Sequence, residues 1–412
     1  MNITPTSFFA GILIATFVFA GIAPLEAHAA TARSSSKLEV SGWIPYWRTE
    51  AGTKDAMKNL SKMTEINPFA YSVRTDGSLV DTAKIDKQDW QSLIAAAKNK
   101  RVKVIPTVMW SDTDNIHKVL SNPATRASHV KAIADLVEEK GFDGIDIDYE
   151  GKKADTRVHF SAFLSELNDA LGKKQLHCTI EARMPLSARF AGTPPPGIEY
   201  ANDLKEVNRS CDRVRIMTYD QQTADVELNR VARNAKEIYA PVADVKWVEK
   251  VVEYMGEDID KKKMVLGIAT YGYIYQIMPH TDGSGYNYIK TEAFNPGYGR
   301  QIAKEYKIKP ERNRAGELSL TYVPKDQVAA LPNQAALAKL APRGTSSASL
   351  ASAGALELAR TQGRQAPVQY LTWSDSVAIK QKVDLAKRLK LAGVAIFKID
   401  GGSDPKMWKV LK

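Results

Sequence analysis

The chain has 412 residues, 44% of them apolar and 25% charged, with 25 Gly and 19 Pro. That is ordinary globular composition, and it excludes a collagen-like, fully disordered or coiled-coil protein. The 57 basic and 47 acidic side chains give a formal charge of +10, a balance that suits nucleic acid, an anionic cell wall or lipid headgroups. There is no arginine-rich tract or aromatic–basic ladder, so no nucleic-acid partner is expected.

At the N-terminus, Phe8 to Ile22 is an uncharged apolar run, followed by Pro24 and by Ala27-His28-Ala29 with the small residues a signal peptidase reads. The run is shorter than the roughly 20 residues of a membrane span. Residues 1–29 are therefore expected to be a cleaved signal peptide and 30–37 a polar linker. The mature chain would have no membrane span and would be secreted, periplasmic or associated with the cell envelope. Its positive charge favours contact with a cell wall.

From residue 38 short β-branched runs alternate with helical patterns. Strands are predicted at 38–44, 66–71, 102–109, 144–149, 176–182, 213–219, 264–271 and 393–399. Between them, helical spacing of apolar residues is clear in Val130, Ile133, Ala134 and Val137, and in Phe160, Phe163, Leu164, Leu167 and Leu171. Strands alternating with helices imply parallel pairing with crossovers. Eight of them imply an α/β protein with a closed (β/α)8 TIM barrel, a doubly wound open sheet being the alternative. Residues 38–273 and 369–412 form the expected barrel, with a helix at about 376–390. Residues 274–368 are too long for a structureless connection and are expected to be an inserted α+β subdomain between strands seven and eight. Within it Leu318 to Val323 alternates like a strand, and the Ser/Ala-rich tract near 344–355 is expected to be a mobile loop. Two cysteines are too few for a disulfide scaffold or a cysteine-based zinc module. Export permits a bridge between Cys178 and Cys211, which lie on or beside consecutive strands; two buried thiols are equally open.

The segment richest in chemistry is Gly141-Phe-Asp-Gly-Ile-Asp-Ile-Asp-Tyr-Glu150. Alternation along a strand places Asp146, Asp148 and Glu150 on one face and Ile145, Ile147 and Tyr149 on the other. In a barrel the apolar set packs against helices and the acids face the axis, where Val, Ile and Leu usually sit. Neighbouring acids about 7 Å apart repel by about 2 kcal/mol at an effective dielectric near 20. The row therefore keeps at least one proton, which is what a general acid requires. Glu150, last in the row at the C-terminal mouth, is the expected acid.

Asp143-Gly-Ile-Asp-Ile-Asp-Tyr-Glu150 resembles the DGxDxDxE signature of glycoside hydrolase family 18, the chitinases and their relatives. Ile216-Met-Thr-Tyr-Asp220 and Leu266-Gly-Ile-Ala-Thr-Tyr-Gly272 resemble that family's sixth- and seventh-strand segments. The resemblance spans about 38 to 404. It implies that Glu150 protonates the glycosidic oxygen while the substrate's own 2-acetamido oxygen attacks the anomeric carbon. It further implies that Asp148 orients that acetamido group, that Asp146 shares a proton with Asp148, and that Tyr219 hydrogen-bonds the acetamido oxygen. Asp220, Met217 and Tyr271 would border the same subsite, and Asp143 and Gly144 would be structural. The substrate class so implied is an N-acetylglucosamine-containing polysaccharide or oligosaccharide, with no cofactor.

Two departures stand out. The third strand lacks the family's frequent Ser-x-Gly-Gly and reads Ile105-Pro-Thr-Val-Met-Trp110, and strand eight offers Phe397 where a tryptophan usually forms the sugar-stacking floor. Trp43, Tyr46, Trp47, Trp110 and Trp373 fall at strand ends or in loops, and Trp47 and Trp110 are expected to line the groove. The six histidines have no ligand-like spacing, so no metal site is expected. A non-hydrolytic glycan-binding barrel and a metal-dependent hydrolase using the aspartates are the alternatives.

Overall fold

The protein is described by a computed structural model covering residues 38–328 and 330–411. The expected signal peptide and linker lie outside the described residues. Eight strands form the barrel: β1 (Glu39–Pro45), β2 (Glu65–Val73), β3 (Thr107–Trp110), β4 (Gly144–Tyr149), β5 (Gln175–Glu181), β6 (Arg213–Met217), β7 (Met264–Ala269) and β8 (Gly393–Phe397). Each pairs in parallel with its neighbours, and β8 pairs with β1, so the sheet closes on itself. The (β/α)8 barrel is thus what the strand count implied. Among the described residues no helix is long and apolar enough to cross a membrane.

Local chemistry explains the crossovers. The helix Pro123–Lys140 starts with Asn122 accepting from the amides of Ala124 and Thr125, has Pro at its first position, and stops at Gly141 in the left-handed region. The helix Arg157–Leu171 buries Phe160, Phe163, Leu164, Leu167 and Leu171, the set its spacing marked out. The third strand departs from its predicted continuity. Lys103–Val104 pairs with β2 as a separate piece, and Ile105-Pro106 interrupts the run before β3. Pro106 has no N–H to give to the ladder, but its carbonyl accepts from the amide of Asp146 at 2.9 Å and so still fixes β4 beside it.

The insertion is a five-stranded antiparallel sheet in the order Tyr286–Phe294, Gly272–Pro279, Val368–Trp373, Leu318–Tyr322, Glu311–Arg312. Val368–Trp373 belongs to this sheet, so the barrel resumes only with the helix Ser376–Arg388. The Ser/Ala-rich tract is corrected more substantially. After a turn it enters the helix Leu350–Gln362, whose Ala351, Ala355, Leu358 and Ala359 are buried. Its small residues permit close packing on the helix Gln334–Leu340: a Cβ on Gly354 would stand 1.9 Å from the carbonyl oxygen of Leu337. Low complexity here marks a tight helix contact.

Cys178 on β5 and Cys211, just before β6, form a disulfide with a Cα–Cα distance of 6.0 Å, and both residues are buried. It closes a loop of 33 residues, for which chain entropy alone gives a stabilisation of roughly 3–4 kcal/mol. Replacing both cysteines by alanine should therefore lower the unfolding free energy measured by urea titration by an amount of that order, with activity of the folded variant retained.

Candidate active site

Asp146, Asp148 and Glu150 rise along one face of β4 toward the C-terminal mouth. Ile145, Ile147 and Tyr149 point outward, with Tyr149 stacked on Phe163 at 5.5 Å. Two residues of the signature set the strand in place. Asp143 accepts from the amide of Val104 at 2.7 Å, and a Cβ on Gly144 would lie 2.1 Å from the carbonyl oxygen of Gln175 on β5.

Asp146 is wholly buried. Its Oδ2 accepts from Trp43 Nε1 at 3.0 Å and Thr107 Oγ1 at 2.8 Å and pairs with Arg215 Nη1 at 3.0 Å, while Oδ1 accepts from Thr179 Oγ1 at 2.8 Å. Asp148, 6% exposed, has one oxygen, Oδ1, buried without a hydrogen-bond partner. Burial raises its proton affinity well above the carboxylate norm, and the charges of Glu150 and Asp146 add to this, with Lys152 opposing. Glu150 is exposed at the mouth, yet loss of water around its carboxyl, with the charges of Glu181 and Asp220, pushes its pKa up, against the pull of Lys152.

Around the acids stands an aromatic wall. Tyr219 stacks on Phe397 at 5.4 Å and 15°, and Phe397 meets Trp43 and Tyr271 edge-on at 5.9 and 6.1 Å. Gly267 on β7 leaves the room Tyr219 needs, since a Cβ there would lie 2.9 Å from the Tyr219 ring. Tyr271 and Tyr273 both donate to Asp220 Oδ1 at 2.5 Å. Asp220, in the left-handed region at φ 60°, borders two cavities. One, about 360 Å³, is lined by Glu150, Glu181, Arg183, Met217 and Tyr219; the other, about 310 Å³, by Trp47, Tyr271, Tyr273, Phe397 and Lys398. A larger cavity of about 700 Å³ beside the insertion sheet contains none of the acids of β4.

Of the predicted groove residues, Trp47 is 48% exposed and lines the smaller cavity, and Phe397, Met217 and Tyr271 also border these cavities. Trp110 does not. It is buried between barrel and helices against Tyr149 and His129, at 5.5 and 5.7 Å. Alternation explains the correction, because Thr107 and Met109 share the inward face of β3 and Val108 and Trp110 share the outward one. Trp373 is likewise buried, in the core of the insertion.

Several site residues escaped the motif reading. Arg215 was legible from alternation, as it shares the inward face of β6 with Met217. Lys152 follows Glu150 by two residues, donates to the Tyr149 carbonyl oxygen and lies 4.5 Å over the Phe160 ring. Glu181 ends β5, where it accepts from the Gly151 amide at 3.2 Å and Asn202 Nδ2 at 2.9 Å. Because its charge raises the pKa of Glu150, Glu181→Gln should move the titration of the Glu150 carboxyl to lower pH. NMR of carbon-13-labelled glutamate carboxyls between pH 4 and 9 would read the shift; an unmoved midpoint would refute the coupling. Among the described residues no group of three or more His, Cys, Asp or Glu side chains is arranged to hold a metal ion.

Known proteins share this architecture. The chain is 21% identical over 303 residues to an uncharacterized glycosylase, YvbX, of Bacillus subtilis (strain 168), covering 73% of this chain and 70% of that one. The fold matches the chitinase of Chromobacterium violaceum ATCC 12472 with a TM-score of 0.65 at 16% identity, covering 91% of this chain and 98% of that one. It also matches the Bacillus cereus spore cortex-lytic enzyme SleL with a TM-score of 0.64 at 16% identity, covering 91% and 73%. The model of the glycosyl hydrolases family 18 matches residues 40–402, and the chain belongs to that family.

Proposed function

We propose that this protein is an exported glycosidase that cleaves β-1,4 bonds in N-acetylglucosamine-containing glycans, chitin or peptidoglycan-like, by substrate-assisted retaining catalysis. The observation that carries this reading is Asp148. It is a buried carboxyl with raised proton affinity and a partnerless oxygen, next to Glu150 on the same strand face. An acetamido N–H can satisfy that oxygen, which turns the acetamido carbonyl toward the anomeric carbon. Glu150 gives its proton to the glycosidic oxygen as the C–O bond breaks toward the leaving sugar. The acetamido oxygen closes on the anomeric carbon, and Asp148 faces the positive charge that develops. Water then reopens the ring, returning its proton to Glu150, with net retention. Residence outside the cell membrane, at or beyond the envelope, is part of the proposal and is supported by the apolar run at Phe8 to Ile22.

The test uses reporter glycosides that differ only at the 2-position. Release from 2-acetamido substrates, a steep loss with 2-trifluoroacetamido or 2-hydroxy analogues, and indifference to EDTA are expected. Equal rates on 2-hydroxy substrates would remove the substrate-assisted step, EDTA sensitivity would replace it with metal chemistry, and glycan binding without turnover would make the barrel a lectin.

A further inference from the structure

The cavity beside Glu150 carries two arginines, Arg183 and Arg189, that neither the acid row nor the aromatic wall requires. The neighbouring cavity on the Phe397 floor is bordered by Asp220 and Lys398 but not by Glu150. Asp220 borders both, so a glycan lying across it places one sugar over Phe397 and the next beside Glu150. Under the glycosidase reading the sugar over Phe397 is the one attacked. The leaving sugar then occupies the cavity of about 360 Å³ that holds the arginines.

Arg183 follows the end of β5 by two residues and is half-buried. Its Nη2 donates to the Asn202 carbonyl oxygen at 2.9 Å, and its guanidinium carbon lies 3.8 Å from the centre of the Tyr200 ring. The stack and that bond fix the plane of the fork. Arg189 closes the short helix Leu186–Arg189 and is exposed, its guanidinium carbon 5.5 Å from the centre of the Phe190 ring. Among the described residues neither arginine has a carboxylate within ion-pairing distance; the charges of Glu181 and Asp258 act on Arg183 only from farther away. Glu181 is bound instead by the Gly151 amide and Asn202 Nδ2, and Asp220 Oδ1 by Tyr271 and Tyr273. Neutral hydroxyl and acetamido groups do not need two unpaired guanidinium groups. A carboxylate suits them, because the fork offers it two parallel N–H donors. Repulsion from Glu181 and Asp220 in the same wall would confine that carboxylate to the arginine end.

Resting on the glycosidase reading above, we propose that Arg183 and Arg189 bind a carboxylate carried by the leaving sugar. The preferred glycan is then one in which N-acetylglucosamine alternates with an acidic sugar, and neutral chitin is the poorer substrate. Arg183, its plane fixed, takes the carboxylate through paired N–H donors, and Arg189 adds charge from the rim of the cavity. Neither touches the reacting atoms; both determine specificity. Two sources of carboxylate have this chemistry, an ether-linked lactyl group and the C6 carboxylate of a uronic acid.

The test compares oligosaccharides of equal length in which N-acetylglucosamine alternates with N-acetylmuramic acid or with glucuronic acid, each as the free acid and as its neutral methylamide. For the wild type kcat/KM should be roughly 10–100-fold higher on at least one acid than on its amide, the range of a charge-assisted contact. The lactyl or uronate series that shows the preference names the source. Arg183→Gln should bring the acid-to-amide ratio close to 1, and Arg183→Lys should recover only part of it, because an ammonium has no fork. Arg189→Gln, at an exposed position where folding is not at stake, should lower the ratio severalfold. Ratios near 1 in the wild type would overturn the proposal, as would variants that lose acid and amide activity in equal proportion. Continued cleavage of aryl 2-acetamido reporters, which have no leaving sugar, would in that case leave the glycosidase reading standing. A wild type that cleaves nothing would overturn the glycosidase reading instead. The arginine site is then read by calorimetric titration with the same acid and amide pairs: an acid preference lost in Arg183→Gln keeps it as an anion-binding subsite, and equal affinities overturn it.

Discussion

Glu150→Gln should lower kcat on natural oligosaccharides by roughly 10²–10⁴-fold, the range that a positioned general acid contributes. Glutamine keeps the volume and the hydrogen-bonding capacity but has no proton to transfer, and Glu150 is exposed at the mouth, so folding should be undisturbed. Two accompanying results would distinguish an acid from a mere contact. The basic limb of the pH–rate profile, set in the wild type by loss of the Glu150 proton above the ordinary glutamate value, should disappear. The deficit should also shrink for substrates whose leaving group is a weakly basic phenol, because such a group departs without protonation. A uniform deficit across leaving groups would assign Glu150 to binding, and an active variant would move the acid elsewhere in the groove. Thermal unfolding of both proteins at pH 7 checks that the comparison is between folded states.

Much of this was legible in the sequence, and the exceptions have physical causes. All eight barrel strands follow from β-branched runs separated by helix-spaced residues, since alternating elements permit little but parallel pairing. The acid row follows from period-two geometry alone. The same geometry, carried across to the next strand, would have removed Trp110 from the groove and found Arg215 on the inward side of β6. Both depend on which residue stands beside which, a register that hydrogen bonds between strands settle: Thr107 opposite Asp146 and Trp110 opposite Tyr149. Composition misleads in the Ser/Ala tract, where small side chains serve the approach of two helices at Gly354. Lys152 and Glu181 could not be connected to Glu150 from one sequence, because the loop after β4 and the end of β5 meet only in three dimensions.

A second large effect should appear in stability at low pH. Burial by itself would raise the pKa of Glu65, but the charge of His177, then that of Arg215, and hydrogen bonds from His177 and Asn67 outweigh it and hold the carboxyl at about 2. A carboxylate whose folded pKa lies below its unfolded value of about 4.5 binds protons more readily in the unfolded chain. Its contribution is therefore complete above about pH 4.5 and drains away as pH falls toward 2, and a shift of this size corresponds to on the order of 3 kcal/mol. Glu65→Gln should consequently be less stable than the wild type at pH 7 by about 3–5 kcal/mol, because Arg215 is left as a buried cation with half its compensation. On acidification the gap should narrow, the wild type losing stability between pH 4.5 and 2 more steeply than the variant. Urea unfolding midpoints at half-unit pH steps measure both slopes. Parallel slopes would mean that Glu65 carries no charge in the folded barrel, and of the two carboxylates paired with Arg215, Glu65 and Asp146, only Asp146 would then balance it.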